Sequence, residues 1–174
     1  MLKPPPRTLL EVYQSLPEGT LAELVNNQLV IEPAPDFYHQ DVVTEIARII
    51  GNHVVENGLG KVIVSPVDVH FDNGNIFQPD IIFIAAERLA SLVRKGRVYG
   101  APDLVIEVLS PGTQKKDKRQ KKPVYEKYGV KEFWLVDPET KEVVVYSLSG
   151  SVFVEALSQR GIVTSPLLNT TVRF

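Results

Sequence analysis

Apolar residues recur along this chain in two rhythms. Between residues 36 and 57, Val42, Val43, Ile46, Ile49, Ile50 and Val54 return at helical spacing and fall on one side, which predicts an amphipathic helix. His39 projects from the middle of that face, Glu45 falls toward its edge, and Gly58-Leu59-Gly60 ends the helix. Short apolar runs bounded by turn residues predict strands elsewhere. They are 21–33, split by Asn26-Asn27 into a tight hairpin, then 61–72 and 76–84 around the turn Asn73-Gly74-Asn75. Further strands are expected at 102–110, 132–137, 142–148 and 151–157, and short helices at 7–15 and 85–93. A helix running to about Tyr128 lies between the strands 103–109 and 132–137. That order is a βαβ unit, which places two parallel strands side by side. The hairpins elsewhere are antiparallel. The fold class is therefore α/β, a central mixed β-sheet flanked by helices with additional β-hairpins.

A length of 174 residues fits one domain spanning 1–174, with a core large enough to fold without staples. The absence of cysteine excludes disulfides, thiolate zinc sites and a cysteine nucleophile. The start, Met1-Leu2-Lys3-Pro4-Pro5-Pro6-Arg7, lacks the apolar region of a signal peptide. No apolar run approaches the roughly 18 residues of a membrane span. A cytoplasmic protein with no membrane partner is the expectation. The net charge of −2 is unevenly spread. Residues 111–132 hold eight basic and three acidic side chains, a surplus of five positive charges, which leaves the rest of the chain at −7. A local basic patch of this kind attracts phosphates, although a lysine run is also what a solvated helix face looks like.

Two acidic residues interrupt apolar strands. Asp80 follows Pro79 and precedes Ile81-Ile82-Phe83-Ile84, and Glu107 stands inside Leu104-Val105-Ile106-Glu107-Val108-Leu109. An unpaired carboxylate buried there costs several kcal/mol. If the two strands are neighbours, the carboxylates converge, and a divalent metal neutralises the pair; magnesium favours such oxygen ligands. The alternative is that each acid pairs with a lysine or caps a strand end. Asp117, Lys121 and Tyr125 share one helix stripe, with Tyr128 close to it, and that stripe can turn Lys121 back toward Glu107. Lys121 is otherwise a surface lysine paired with Asp117. Pro123 is tolerated if the regular helix starts near Lys122. There is no glycine-rich phosphate loop and no nucleophile elbow. His39, His53 and His70 show no close zinc-ligand spacing. His53 is expected to be a satisfied core histidine, whereas His39 is either a core residue or part of the site.

The stretches "QPDIIFI" (78–84), "GAPDLVIEVLSPGT" (100–113), "DKRQKKPVYEKYGVKEFWLVDP" (117–138), "AELVNNQLVIEPAP" and "HQDVV" together resemble the Uma-two family of putative restriction endonucleases, within the PD-(D/E)xK nuclease superfamily. The resemblance runs from about residue 8 to residue 148. It implies the restriction-endonuclease-like fold and a site of Asp80 and Glu107, with the missing strand lysine supplied from the helix by Lys121. It also marks Glu23, His39, Ser110, Asp117 and Tyr125 as matched positions. Leu109 stands where the superfamily carries its strand lysine, and agrees with this family's own pattern.

The resulting expectation is an endonuclease dependent on Mg2+ (or Mn2+) that hydrolyses DNA. Asp80, Glu107 and the carbonyl of Val108 would bind the metal, and Lys121 would stabilise charge on the phosphate. Lys115, Lys116, Lys118, Arg119 and Lys122 would hold backbone phosphates. A non-cutting nucleic-acid-binding module of the same fold, or a homo-oligomeric structural protein, are the alternatives. Exposed hairpin edges and the apolar strand "EVVVYSL" point to a homodimer under any of them.

Overall fold

The structure is a computed structural model and describes residues 8–110, 117–158 and 160–174. Two six-stranded sheets carry the fold. The first contains β3 (Gly60–Val64), β6 (Ile81–Ala85), β9 (Leu104–Val108), β10 (Glu132–Val136), β11 (Val143–Ser149) and β12 (Val152–Leu157), in the order β12-β11-β10-β9-β6-β3. The second contains β1 (Ala22–Val25), β2 (Gln28–Ile31), β4 (Val69–Asp72), β5 (Asn75–Phe77), β7 (Val93–Arg94) and β8 (Arg97–Tyr99), in the order β2-β1-β5-β4-β8-β7. Both are mixed. β9 and β10 are parallel, in the register Glu107 opposite Leu135, as the βαβ pattern requires. The helices are α1 (Leu9–Ser15), α2 (Phe37–Glu56), α3 (Leu89–Leu92) and α4 (Lys122–Tyr128).

The sequence expectation differs from the structure over residues 61–84. The stretches 61–72 and 76–84 are not two long strands of one hairpin. Each divides, the first at Ser65–Asp68 and the second at Gln78–Asp80. Pro66 and Pro79 sit in those breaks, and a residue without N–H cannot continue a ladder. The halves go to different sheets. β4 and β5 pair around the Asn73-Gly74 turn, whereas β3 pairs with β6 from Gly60 opposite Ala85 to Val64 opposite Ile81. The C-terminal residues, weakly patterned in sequence, form a hairpin of β13 (Ile162–Ser165) and β14 (Thr170–Arg173) that packs on α2. The "EVVVYSL" strand is no edge, because β10 and β12 cover β11 on both sides.

The first sheet is buried on both faces, which explains its near-continuous apolar runs. One face carries Ile81, Phe83, Leu104, Ile106, Val108 and Trp134, packed on Val42, Val43, Ile46, Ile50 and Val54 of α2. The other carries Ile82, Ile84, Val105, Leu109 and Phe133, packed on the second sheet and α4 through Phe71, Phe77 and Tyr125. His53 is held as a satisfied histidine by the Leu168 carbonyl, 2.9 Å from Nε2.

Asp103 ties three strands together where they begin and end. It is fully buried, accepts the Ala85 N–H at 2.9 Å, and meets Arg88 and Lys131 at 2.8 Å each. Burial raises its pKa, but the Ala85 N–H, Lys131 and Arg88 outweigh that and hold the carboxyl below its ordinary value. A depressed folded pKa gives stability that is present above the unfolded value near pH 4 and is lost as pH falls through the folded one. Asp103→Asn should therefore lower urea stability at pH 7 and flatten the acid limb of the stability profile below about pH 4. An unchanged acid limb would show that Asp103 does not carry it.

Candidate active site

A cleft of about 440 Å³ opens at one end of the first sheet and is lined by Glu23, His39, Asp80, Glu107, Ser110 and Lys121 among others. Each side chain arrives from a different element. Glu23 is on β1, His39 in the first turn of α2, Asp80 just before β6, Glu107 on β9, and Asp117 and Lys121 on the turn leading into α4. The antiparallel register of β6 with β9 (Ile81 opposite Ile106) sets Asp80 against the end of β9. Its Oδ2 accepts the Val108 N–H at 2.7 Å. The two acids that interrupt apolar strands thus do meet at neighbouring strand ends.

Glu107 is paired with protein groups. Its Oε1 accepts from Lys121 Nζ at 3.0 Å and from the Tyr125 hydroxyl at 2.5 Å. The same ammonium lies 2.8 Å from Glu23 Oε1 and 3.5 Å from Asp117 Oδ1. Glu23 Oε1 also accepts the Gln78 N–H at 2.8 Å, which fixes the β1 carboxylate to the segment carrying Asp80. All four charged groups on and around Lys121 are at least nine-tenths buried.

The chain before Pro123 explains how Lys121 reaches this point. Asp117–Lys121 is a single π-helical turn and regular α-helix begins at Lys122, so Pro123 falls in the first turn, where a missing N–H costs nothing. The stripe of Asp117, Lys121 and Tyr125 faces Glu107, as the spacing allows. Tyr128 does not; its hydroxyl donates to Asp72 of the second sheet. Leu109, just beyond the end of β9, is buried in the core.

His39 leans into the site and is also a core residue. Its Nε2 lies 2.9 Å from the Val108 carbonyl and 3.3 Å from Asp80 Oδ2. Both neighbours are acceptors, so Nε2 carries a proton. Burial lowers the His39 pKa, but the Asp80 hydrogen bond and charge outweigh it and hold the imidazole above its ordinary value. Burial drives the Glu107 carboxyl well up, against Lys121, and the charges of Asp117, Asp80 and Glu23 add to the rise. Burial works against charge on Lys121 too, but Glu107 and Glu23 push its pKa well up, so the ammonium stays charged. Tyr125 is raised by burial and by Glu107, which keeps it a proton donor.

Three carboxylates surround Lys121 and a fourth, Asp80, lines the same cleft, so that even a protonated His39 leaves a surplus of negative charge. That surplus, and a Glu107 driven toward its neutral form, fit a divalent cation with oxygen preference. Asp80, Glu107 and the Val108 carbonyl supply hard oxygen donors of the kind magnesium takes, one or two carboxylates with waters filling the rest. Among the described residues no three His, Asp or Glu side chains form a metal-binding group on their own.

The basic stretch is only partly described. Lys115 and Lys116 lie outside the described residues. Lys118 and Arg119 are exposed, and Lys122 is half-buried, its ammonium 4.4 Å from the centre of the Tyr146 ring. Gln78 escaped the sequence reading as a site residue. Its role is carried by a backbone N–H and by its place before Pro79, neither of which residue type announces.

Two mixed sheets flanked by helices, with an acidic cleft that holds a buried lysine, make this a mixed α/β protein with one candidate active site. The chain belongs to the Uma2 family, described as "Putative restriction endonuclease", whose model matches residues 10–172. Its fold is shared with a crystal structure described as a "putative nuclease belonging to DUF820" from Anabaena variabilis. The TM-score is 0.76 at 22% sequence identity, covering 94% of this chain and 92% of that one. No curated protein matches. No helix among the described residues is long and apolar enough to cross a membrane.

Lys121→Met should cost about 3–5 kcal/mol in metal-free urea unfolding, because it strands buried carboxylates. Adding Glu107→Gln should recover part of that loss, since a neutral amide no longer needs the ammonium. Additive losses in the double variant would show that Lys121 and Glu107 are not coupled.

Proposed function

We propose that this protein is a magnesium- or manganese-dependent endonuclease that hydrolyses DNA phosphodiester bonds at the Asp80/Glu107 cleft. The observation that carries the reading is the convergence of Asp80, Glu107 and Lys121 from three separate elements onto one cleft in a chain of the Uma2 family. Asp80, Glu107 and the Val108 carbonyl would hold the metal, which when bound polarises the phosphate and acidifies an attacking water. Lys121 keeps a fixed positive charge at the cleft, where negative charge develops on the phosphate. Glu23 and Asp117 orient that ammonium. Tyr125 orients the Glu107 carboxylate. His39 holds Asp80 and the Val108 carbonyl together through one N–H. Lys118 and Arg119, with Lys115 and Lys116, supply phosphate contacts that carry little sequence information. A homodimer would be built on the exposed edges, such as β12 with its exposed Val152 and Val154.

A second reading rests on one observation. Lys121 and Tyr125 already satisfy Glu107, so a non-cutting nucleic-acid-binding module would hold this geometry without metal.

One set of variants separates the two. Asp80→Asn and Glu107→Gln should each lower metal-dependent cleavage by at least about a hundredfold, and Glu107→Gln should weaken Mg2+ or Mn2+ binding in calorimetry. Full cleavage by either variant would overturn the mechanism. DNA binding by the wild type without cleavage under any divalent metal would favour the binding module.

A further inference from the structure

A second cleft, of about 680 Å³, lies beside the first, and Gln78 lines both. Gln78 forms the wall between them. Its backbone N–H bonds Glu23 on one side, and its side-chain Nε2 donates to Asp68 Oδ1 at 3.0 Å on the other. Nothing in the proposed hydrolysis uses this second cleft.

Its lining combines three features. The first is a charged group held in place from behind. Asp68 takes the Arg97 Nε at 3.2 Å, while the Tyr13 hydroxyl donates to the other carboxylate oxygen at 2.7 Å. Asp68 thereby fixes the guanidinium through Nε, and the Arg97 side chain stays 55% exposed, with its two Nη groups outside that contact. Lys95 stands beside it at the tip of the β7–β8 hairpin, exposed, in a turn where Lys95 (φ 50°) and Gly96 (φ 76°) are both left-handed. The second feature is an aromatic platform. The rings of His70 and Tyr99 stack at 4.6 Å with 19° between planes, and Tyr99 remains 37% exposed. The third is a polar handle. His70 Nε2 is buried without a hydrogen-bond partner among the described residues. Burial holds the His70 pKa down, so this ring is a neutral donor-acceptor and adds no cation to Arg97 and Lys95.

A fixed guanidinium and an ammonium suit a phosphate, and an aromatic platform with a hydrogen-bonding edge suits a base. We propose that the second cleft is a nucleotide subsite. Arg97 and Lys95 take the phosphate, and the His70–Tyr99 stack takes the base, of a nucleotide next to the bond at Asp80 and Glu107. The shared Gln78 wall makes the two clefts successive stations along one strand. An unpaired nucleotide fits this site, because a base inside a duplex offers no face to stack on. The inference rests on the nuclease reading for its substrate, but not on catalysis for its test.

The test is binding in metal-free buffer, using a single-stranded DNA of about twelve nucleotides carrying 2-aminopurine, followed by anisotropy and by fluorescence quenching. Lys95→Gln with Arg97→Gln should weaken binding by roughly tenfold and reduce the salt slope by about 0.7, the expectation for one single-strand phosphate. Tyr99→Leu should weaken binding and abolish the quench, and Tyr99→Trp should restore both, which a merely structural role for Tyr99 would not give. Affinities within twofold of wild type in all these variants would overturn the subsite. Deoxyadenosine monophosphate binding as tightly as the oligonucleotide would also overturn it, by marking a site for free nucleotides. A wild type that binds the strand through these residues yet never cuts would sink the hydrolytic reading and leave the subsite standing. A wild type that binds no nucleic acid would overturn both.

Discussion

One buried ammonium holds this architecture in register. Lys121 Nζ lies within 3.5 Å of carboxylate oxygens from Glu23, Glu107 and Asp117. These come from the second sheet, the first sheet and the turn into α4. Burying an ion costs several kcal/mol after relaxation, and only close partners return it. None of these groups can leave water alone, so the three parts of the fold must arrive together. Tyr125 adds a neutral donor from the same helix, and its ring contacts Phe71, Phe77 and Phe133 in the core between the sheets. The polar site and the apolar core are therefore one construction. A shift of α4 by one residue would remove both the ammonium from Glu107 and the aromatic ring from its neighbours.

The geometry of the site follows from breaks in secondary structure more than from the elements. Pro66 and Pro79 cut two long apolar stretches so that each contributes to both sheets. The second break, Gln78-Pro79-Asp80, gives Asp80 an irregular backbone at the end of β6, from which its carboxylate reaches the Val108 N–H. It also leaves Gln78 with a free-standing backbone N–H for Glu23. The π-helical turn before Pro123 has the same effect on the other side, carrying Asp117 and Lys121 inward before the regular helix starts. Extra residues in turns of this kind frequently sit at functional sites.

Much of this was legible in the sequence, for reasons that can be named. The amphipathic period of α2, the Asn26-Asn27 hairpin turn and the βαβ order of β9, α4 and β10 are local signals, and all appear as the pattern predicts. Glu107 drew notice because a charged residue in an apolar run must have a partner. The partner expected first was a metal; the stripe Asp117-Lys121-Tyr125 only allowed Lys121 to reach the site, and its pairing with Glu107 is seen in the structure. The division of 61–84 between two sheets was not legible as such, because strand pairing is a long-range choice and period-2 patterning is the same in either sheet. Nor was the C-terminal hairpin, whose apolar residues Val163 and Val172 gain their meaning only from α2 beneath them. His39 stood open between core and site, and the structure gives both: buried on the apolar face of α2, with its Nε2 turned to Asp80.

The double role proposed for Glu107 is the point on which structure and chemistry bear on each other. A carboxylate kept for an external cation alone would be an unpaired buried charge whenever that cation is missing, and the fold would lose the stability of β9. Lys121 removes that weakness by supplying a partner from within the chain. It does not neutralise the cluster, since Glu23, Asp80 and Asp117 remain, and Glu107 is still driven toward its protonated form. Under the proposed function, such a site would pair Glu107 without a metal and keep the negative charge that would attract one. The same ammonium that satisfies Glu107 in isolation is then positioned against any phosphate drawn to the cleft. The helix-borne lysine thus serves folding and the proposed catalysis through one charge in one place.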